Sequence, residues 1–323
     1  MRVIRSLKQV PPGLRSVVTI GIFDGLHNGH QRLLRQVVRC ARERGVEAWA
    51  ITFDPHPATL HAPEKGVRLI NTLEDRLDGM ERLGLDGVLV EPYNWELASL
   101  TPEQFTSQYF VNGMGATAVV VGRDVKFGRN NSGDLRTLRE LGERLGFDVY
   151  VLEDQTDVGG RRYSSTLVRG ALARGDVQGA ERILGRPHRV HGKVVHGFKR
   201  GRALGFPTAN LDAEQAGEVP ADGVYAGWLM VEGKRLPAAI SVGTNPHFDG
   251  HVRTIEAHVL GRSDLNLYGQ DVSVEFVKML RPMRSFDSLE QLLEQMDRDL
   301  LYTAQALNVQ PAGRVDPSAV TAQ

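Results

Sequence analysis

Apolar and polar positions follow two regimes along this 323-residue chain. In the first 185 residues, short apolar runs alternate with stretches of helical spacing. Val17-Val18-Thr19-Ile20 predicts a buried strand, and Leu33, Leu34, Val37, Val38 and Ala41 after it fall on one helix face. Gly45 stands where a helix C′ glycine is expected, and a second strand is predicted from Glu47 to Phe53. A helix behind Thr72 (Leu73 to Leu83) and a short strand (Gly87 to Val90) come next. Thr101-Pro102-Glu103-Gln104 opens another helix with a capping threonine, proline at N1 and glutamine at N3. A strand from Ala116, a helix from Leu135 and a strand from Phe147 continue the alternation, which predicts an α/β, doubly wound parallel sheet with helices on both faces. Two short helices follow, from Leu167 and from Val177, with Ser165 and Asp176 as caps.

The pattern changes at Leu184-Gly185-Arg186-Pro187. Short β segments broken by glycine start at Arg189, Gly223, Pro237, Thr254 and Val272, a spacing that predicts a small closed β-barrel. Ser288 to Leu307 then reads as one long amphipathic helix. The expected boundaries are therefore 1–185, 186–308 and a disordered polar tail, 309–323.

Composition narrows the class. Hydrophobic residues make up 41% and charged residues 24%, as in globular proteins. Lys+Arg and Asp+Glu are both 39, so no global basic field would steer the chain to nucleic acid. Cys40 is the only cysteine, which excludes an internal disulfide and fits a cytoplasmic protein. No signal-peptide pattern and no apolar stretch of membrane-spanning length is expected.

Candidate chemistry gathers where predicted strands end. Gly21-Ile22-Phe23-Asp24-Gly25-Leu26-His27-Asn28-Gly29-His30 joins the first strand to its helix. Nucleotides bind at that place in an α/β sheet, because free backbone N–H groups and the positive helix end favour phosphate. Glycines admit close approach, and imidazoles can donate to phosphoryl oxygens. A metal pair or two core histidines are the competing readings of His-x-x-His, although zinc would want further ligands. Asp24 either orients the turn or approaches a metal. Thr52-Phe53-Asp54-Pro55-His56-Pro57 ends the next strand, either as a rigid turn or as part of the site. Asp124, in Gly122-Arg123-Asp124-Val125-Lys126-Phe127-Gly128, binds substrate or caps its loop. Ser164-Ser165-Thr166-Leu167-Val168-Arg169 puts three hydroxyls and an arginine at a helix start, suited to capping or to phosphate.

His-Asn-Gly-His resembles the ATP-binding signature of the nucleotidyltransferase superfamily. The four segments in this order resemble the FAD synthetase module of bacterial bifunctional riboflavin kinase/FAD synthetases. The resemblance implies an FMN adenylyltransferase over 1–185. It implies His27 and His30 as catalytic groups, with Gly21, Phe23, Asp24, Gly29, Ser164, Ser165, Thr166 and Arg169 at ATP. Asp54, His56 and Asp124 would lie at the flavin. Val125 stands where the family usually carries phenylalanine.

Gly197 to Asn210 contains a basic, glycine-rich stretch and then Gly205-Phe206-Pro207-Thr208-Ala209-Asn210. In an extended segment Thr208 and Asn210 point to one face, and their oxygens suit Mg²⁺. The segment resembles the riboflavin kinase signature, which implies Gly201, Arg202, Gly205, Thr208 and Asn210 at ATP, the last two at Mg²⁺. Thr254, Glu256 and His258 share one face of a predicted strand; the plain alternative is the wet face of an edge strand. The family resemblance makes Glu256 the catalytic base and places Arg281 near the flavin. Ser241 and His247 depart from the family's usual residues. The implied function is phosphorylation of riboflavin to FMN and adenylylation of FMN to FAD. The expected partners are flavins and ATP, with no nucleic acid, no membrane and at most a weak homo-oligomer. Two rivals are a riboflavin kinase with a silent first domain and a non-catalytic flavin-binding regulator.

Overall fold

The computed structural model describes residues 1–66, 68–153, 160, 162–196, 204–212, 217–244 and 253–316. The chain divides into two compact units, Met1–Arg68 with Leu73–Ser164, and Leu69–Thr72 with Ser165–Gln323.

The first unit is built on six parallel strands, β1 (Arg2–Ile4), β2 (Ser16–Ile20), β3 (Glu47–Asp54), β4 (Gly87–Pro92), β5 (Ala116–Gly122) and β6 (Asp148–Leu152), in the order β1-β4-β3-β2-β5-β6. Its helices are α1 (Asn28–Arg44), α2 (Pro57–His61), α3 (Leu73–Arg82), α4 (Trp95–Ala98), α5 (Pro102–Phe105) and α6 (Leu135–Leu145), with a π-helical stretch over Thr106–Gly113. Alternate strand residues feed two cores. Val18, Trp49, Ile51, Leu89 and Val119 meet Phe105, Phe110 and Leu138. Val17, Ala48, Ala50, Val88 and Val120 meet Leu34, Val37, Ala41 and Met80. Both faces are covered, so these strands read as apolar runs rather than as half-polar alternation. Cys40 is a buried packing residue of α1. The predicted capping box forms between Thr101 and Gln104. Strand β2 lies between β3 and β5, so the chain order reverses there and a crevice opens at its carboxyl end.

The second unit is a closed antiparallel barrel of β7 (His188–Val195), β8 (Ala209–Asp212), β9 (Gly223–Val231), β10 (Lys234–Thr244), β11 (Arg253–Val259) and β12 (Asp271–Pro282), in the order β10-β11-β8-β7-β12-β9. Helices α7 (Ser165–Ala173) and α8 (Val177–Leu184) share its core: Val168, Leu172, Val177 and Leu184 pack with Val190, Leu229, Ile240 and Phe276. They therefore group with the barrel, although the sequence places them before the change of pattern at residue 185. Asp176 caps α8 by accepting from the Gly179 N–H, whereas Ser165 is the first residue of α7 rather than a residue ahead of it. Helix α9 (Leu289–Leu307) is capped by Ser288 and ends on Asn308 in the left-handed region.

Residues 309–316 correct the expectation of a disordered tail. Val309 and Ala312 pack on Phe206, Leu260, Leu300 and Ala304. The Val315 N–H donates to the Gly205 carbonyl at 3.2 Å, and Arg314 pairs with Asp297 at 3.1 Å. Small and polar composition suggested disorder, but a few apolar side chains with a receiving groove suffice to anchor a short segment.

Candidate functional site

In the first unit the site is the turn between β2 and α1. Phe23 (φ 56) and Leu26 (φ 44) both adopt left-handed backbone, with Gly25 (φ 75) between them. Side chains rarely tolerate this region, so the turn is strained and needs outside support. It folds Phe23 back beneath Gly21 and sets its ring edge-on to His30 at 5.4 Å. His27 caps α1: the His30 N–H donates to its Nδ1 at 3.4 Å, which leaves the proton of a neutral His27 on Nε2. The two imidazoles stack with centroids 3.7 Å apart and planes 21° from parallel. Gly29 permits this, since a Cβ there would stand 3.1 Å from the His27 ring.

Burial, then His27, then Arg162 hold the His30 pKa well below that of a free imidazole, so the ring is neutral at neutral pH. Its Nδ1 is enclosed without a hydrogen-bond partner among the described residues. Asp24 is buried in the turn at 3% exposure. Asp54 ends β3, and His56 caps α2 by accepting from the Ala58 N–H at 3.0 Å. Asp124 follows β5 and pairs with Arg162 at 2.7 Å, a bond that pulls its pKa down. Tyr163, just before Ser164, approaches Gly29, so the chain leading into α7 passes the start of α1. Ser165, Thr166 and Arg169 lie on α7, in the second unit.

Two cations at this site have no sequence signature. Arg162 pairs with Asp124 and acts by its charge on His30, and Arg76 is buried in α3 with its Nη1 donating to the Ile22 carbonyl at 2.7 Å. Arg76 is a lone arginine in an ordinary polar stretch and Arg162 the second of an arginine pair, and only the fold brings them to the turn.

In the barrel, register places Glu256 of β11 opposite Asn210 of β8 and Ser241 of β10. Burial pushes the Glu256 carboxyl above the usual range, opposed by a hydrogen bond from the Thr208 side chain. Thr208 and Asn210 thus both lie beside Glu256, one by a hydrogen bond and the other by strand register. His258, two residues on, is buried and holds the loop ahead of β8, its Nδ1 on the Pro207 carbonyl at 2.8 Å. Gly205 is left-handed (φ 84), and a Cβ there would lie 2.6 Å from the Val315 carbonyl. Arg281, at the end of β12, is held by Asp299 of α9 through Nε (3.0 Å) and Nη2 (2.7 Å), and Gln295 donates to the same carboxylate at 2.8 Å. Gly201, Arg202 and His247 lie outside the described residues.

Comparison with known proteins finds two family models along the chain. Residues 12–167 match the family model for FAD synthetase, and residues 184–307 match that for riboflavin kinase. The bifunctional riboflavin kinase/FMN adenylyltransferase of Escherichia coli K12 is 35% identical over 302 residues, 93% of this chain and 95% of its own. The chain belongs to the bifunctional riboflavin kinase/FMN adenylyltransferase family. Members from Pseudomonas fluorescens (36% identity, 97% of this chain and 100% of theirs) and Bacillus subtilis 168 (34%, 88% and 90%) are also similar over most of the chain. A solved structure described as a macrolide-efflux protein of Streptococcus pneumoniae shares the fold with a TM-score of 0.86 and 32% identity, over 93% of this chain and 97% of that one. Among the described residues no helix is long and apolar enough to cross a membrane. Both domain types of the riboflavin kinase/FMN adenylyltransferase family are therefore present on one chain.

Proposed function

We propose that the chain carries out two consecutive reactions. The barrel transfers the γ-phosphoryl group of ATP to a ribityl hydroxyl of riboflavin. The parallel-sheet unit then transfers the adenylyl group of a second ATP to the FMN phosphate and releases pyrophosphate.

The observation that carries this reading is the unequal equipment of the two sites. A hydroxyl nucleophile must lose a proton, so its site needs a general base. Glu256 supplies one, and its raised pKa makes it a better proton acceptor once ionised. In this step Glu256 takes the hydroxyl proton, a new P–O bond forms, and the bond to the departing ADP oxygen breaks. Thr208 orients the carboxylate through its hydrogen bond, and Asn210 faces it across the β8–β11 pair. Gly205 and, by resemblance, Gly201 and Arg202 cradle ATP, and Arg281 supports the flavin side. The hydroxyl and amide oxygens of Thr208 and Asn210 fit Mg²⁺, which prefers hard oxygen donors and keeps most of its coordination for phosphates and water. Bound there, Mg²⁺ would offset phosphate charge.

FMN phosphate is already anionic, so adenylyl transfer needs positioning and charge stabilisation rather than a base. His27 presents an Nε2–H, neutral His30 stacks on it, and the N-terminus of α1 adds its N–H groups. In this reading Gly21, Phe23, Asp24 and Gly29 shape the turn around ATP, and Ser164, Ser165, Thr166 and Arg169 add hydroxyl and guanidinium donors. Asp54, His56 and Asp124 lie on the flavin side. The proposed setting is the cytoplasm, as the single cysteine suggests.

The test is a chromatographic time course with riboflavin, ATP and Mg²⁺. FMN first and FAD second is the expected result. FMN without FAD, even with FMN supplied, would leave a kinase with a silent first unit. Flavin binding without either product would favour a regulator.

A further inference from the structure

Arg76 is 1% exposed, one of the largest side chains fully enclosed in the first unit. Its Nη1 donates to the Ile22 carbonyl at 2.7 Å, and the Thr52 hydroxyl donates to that oxygen at 3.3 Å. Asp24 is its strongest attractive charge and Asp54 the next. Its Nε–H has no partner among the described residues. Burying a cation is costly, and an unpaired buried donor adds to the cost, so an apolar side chain of similar volume would serve folding as well or better. The arginine therefore needs a reason beyond packing.

That reason lies in what α3 touches. Ile22 begins the strained turn and Leu26 ends it. Arg76 grips the first through its carbonyl. Gly79, three residues on, receives the second: a Cβ there would stand 2.3 Å from Leu26 Cδ2. Helix α3 thus holds the turn at both ends, and between them Phe23 and Leu26 sustain left-handed backbone. Asp24, buried in the same turn, adds negative charge where a polyphosphate is to approach, and Asp54 adds more from β3. A fixed guanidinium behind both carboxylates offsets that field.

We infer that Arg76 is a positioning residue of the adenylyl-transfer site, which holds the Ile22 carbonyl and balances Asp24 and Asp54 so that the turn keeps His27 stacked on His30. The inference rests on the proposed adenylyl transfer. Arg76 need not touch ATP; it acts through the turn.

Arg76→Met and Arg76→Lys in the full chain test this, with riboflavin phosphorylation by the same preparation as the internal control. For Arg76→Met, kcat for FAD formation from supplied FMN should fall about 100-fold, the loss that a misplacement of about 1 Å produces. KM for ATP should rise as well, since the same turn shapes the ATP site, but by less than kcat falls, because the donors of the turn matter most as charge develops in the transition state. Arg76→Lys, which keeps the charge and loses the fork, should recover part of kcat. Histidine NMR gives a readout independent of turnover: His30 should titrate closer to a free imidazole in Arg76→Met as the turn loosens. Unchanged kcat with an unchanged His30 titration would overturn the inference. So would kinase and adenylyl rates falling together with a lowered melting temperature, since that is a folding defect. A wild-type chain that forms no FAD would defeat the adenylyl-transfer reading itself, and the His30 titration would still decide whether Arg76 holds the turn.

Discussion

Glu256→Gln separates the two reactions most sharply. The side chain keeps its size and an oxygen that can accept from Thr208, so the hydrogen bond of the Thr208–Glu256 pair survives. Only the ability to take a proton is lost. Removing a positioned general base costs about 10²–10⁴ in rate, equivalent to about 3–5 kcal/mol of barrier. Riboflavin phosphorylation should fall by that factor, while adenylylation of supplied FMN keeps its rate. The fold should respond in the opposite sense. Burial raises the Glu256 pKa in the native state, so its contribution to stability is full below the unfolded pKa and is lost as pH rises through the folded one. At neutral pH the ionised carboxylate is a net cost, and glutamine removes it. The variant should therefore melt above the wild type at pH 7–8, with the gap closing in acid, where both side chains are neutral. The acid limb of the wild-type kinase rate should also lie above the ordinary glutamate range. Product chromatography with riboflavin, then with FMN, and melting curves across pH measure all three. A loss of less than tenfold in phosphorylation, or equal losses in both reactions, would refute the assignment of Glu256 as the base.

His30→Ala removes one donor at the phosphate turn and should slow FAD formation by about 10²–10³, with the kinase untouched. Because the native His30 pKa is depressed, its contribution to stability is present above 6.5 and is lost as pH falls; His30→Gln should flatten that acid loss in pH-dependent melting. Gly205→Ala places a side chain at φ 84 against the Val315 carbonyl and should cost about 1–3 kcal/mol, read by denaturant unfolding of the barrel. Truncation after Asn308 should relieve the close-approach part of that cost while leaving the strain of φ. Asp299→Ala leaves Arg281 without its carboxylate in a largely buried network and should cost about 3–5 kcal/mol, whereas Asp299→Asn should cost less.

Much of this fold was legible because its patterns are local. The helix Leu135–Leu145 and the strand Gly223–Val231 match the elements read from periodicity, and the capping box at Thr101 marks α5 where its residues predict. β1 and β8, three and four residues long, were too short to show a period. The His-Asn-Gly-His turn and the Pro-Thr-Ala-Asn segment could be found because a glycine-rich strand end or an extended strand places its own neighbours predictably. Arg76, Arg162 and Asp299 could not, since each serves a residue distant in sequence and carries no periodic signal.

The sequence alone determined that a doubly wound α/β unit precedes a small β-barrel, and that the glycine- and histidine-rich segment stands where a strand ends and a helix begins. Backbone propensity and side-chain spacing act over a few residues, so they can be read without knowing what lies opposite. Tertiary structure alone decided that α7 and α8 group with the barrel and that residues 309–316 pack beside Gly205. It also decided that Arg76 stands behind the strained turn and that Glu256 is buried enough to raise its pKa. Burial, strain and charge balance are sums over neighbours from the whole chain, and those neighbours meet only when it has folded.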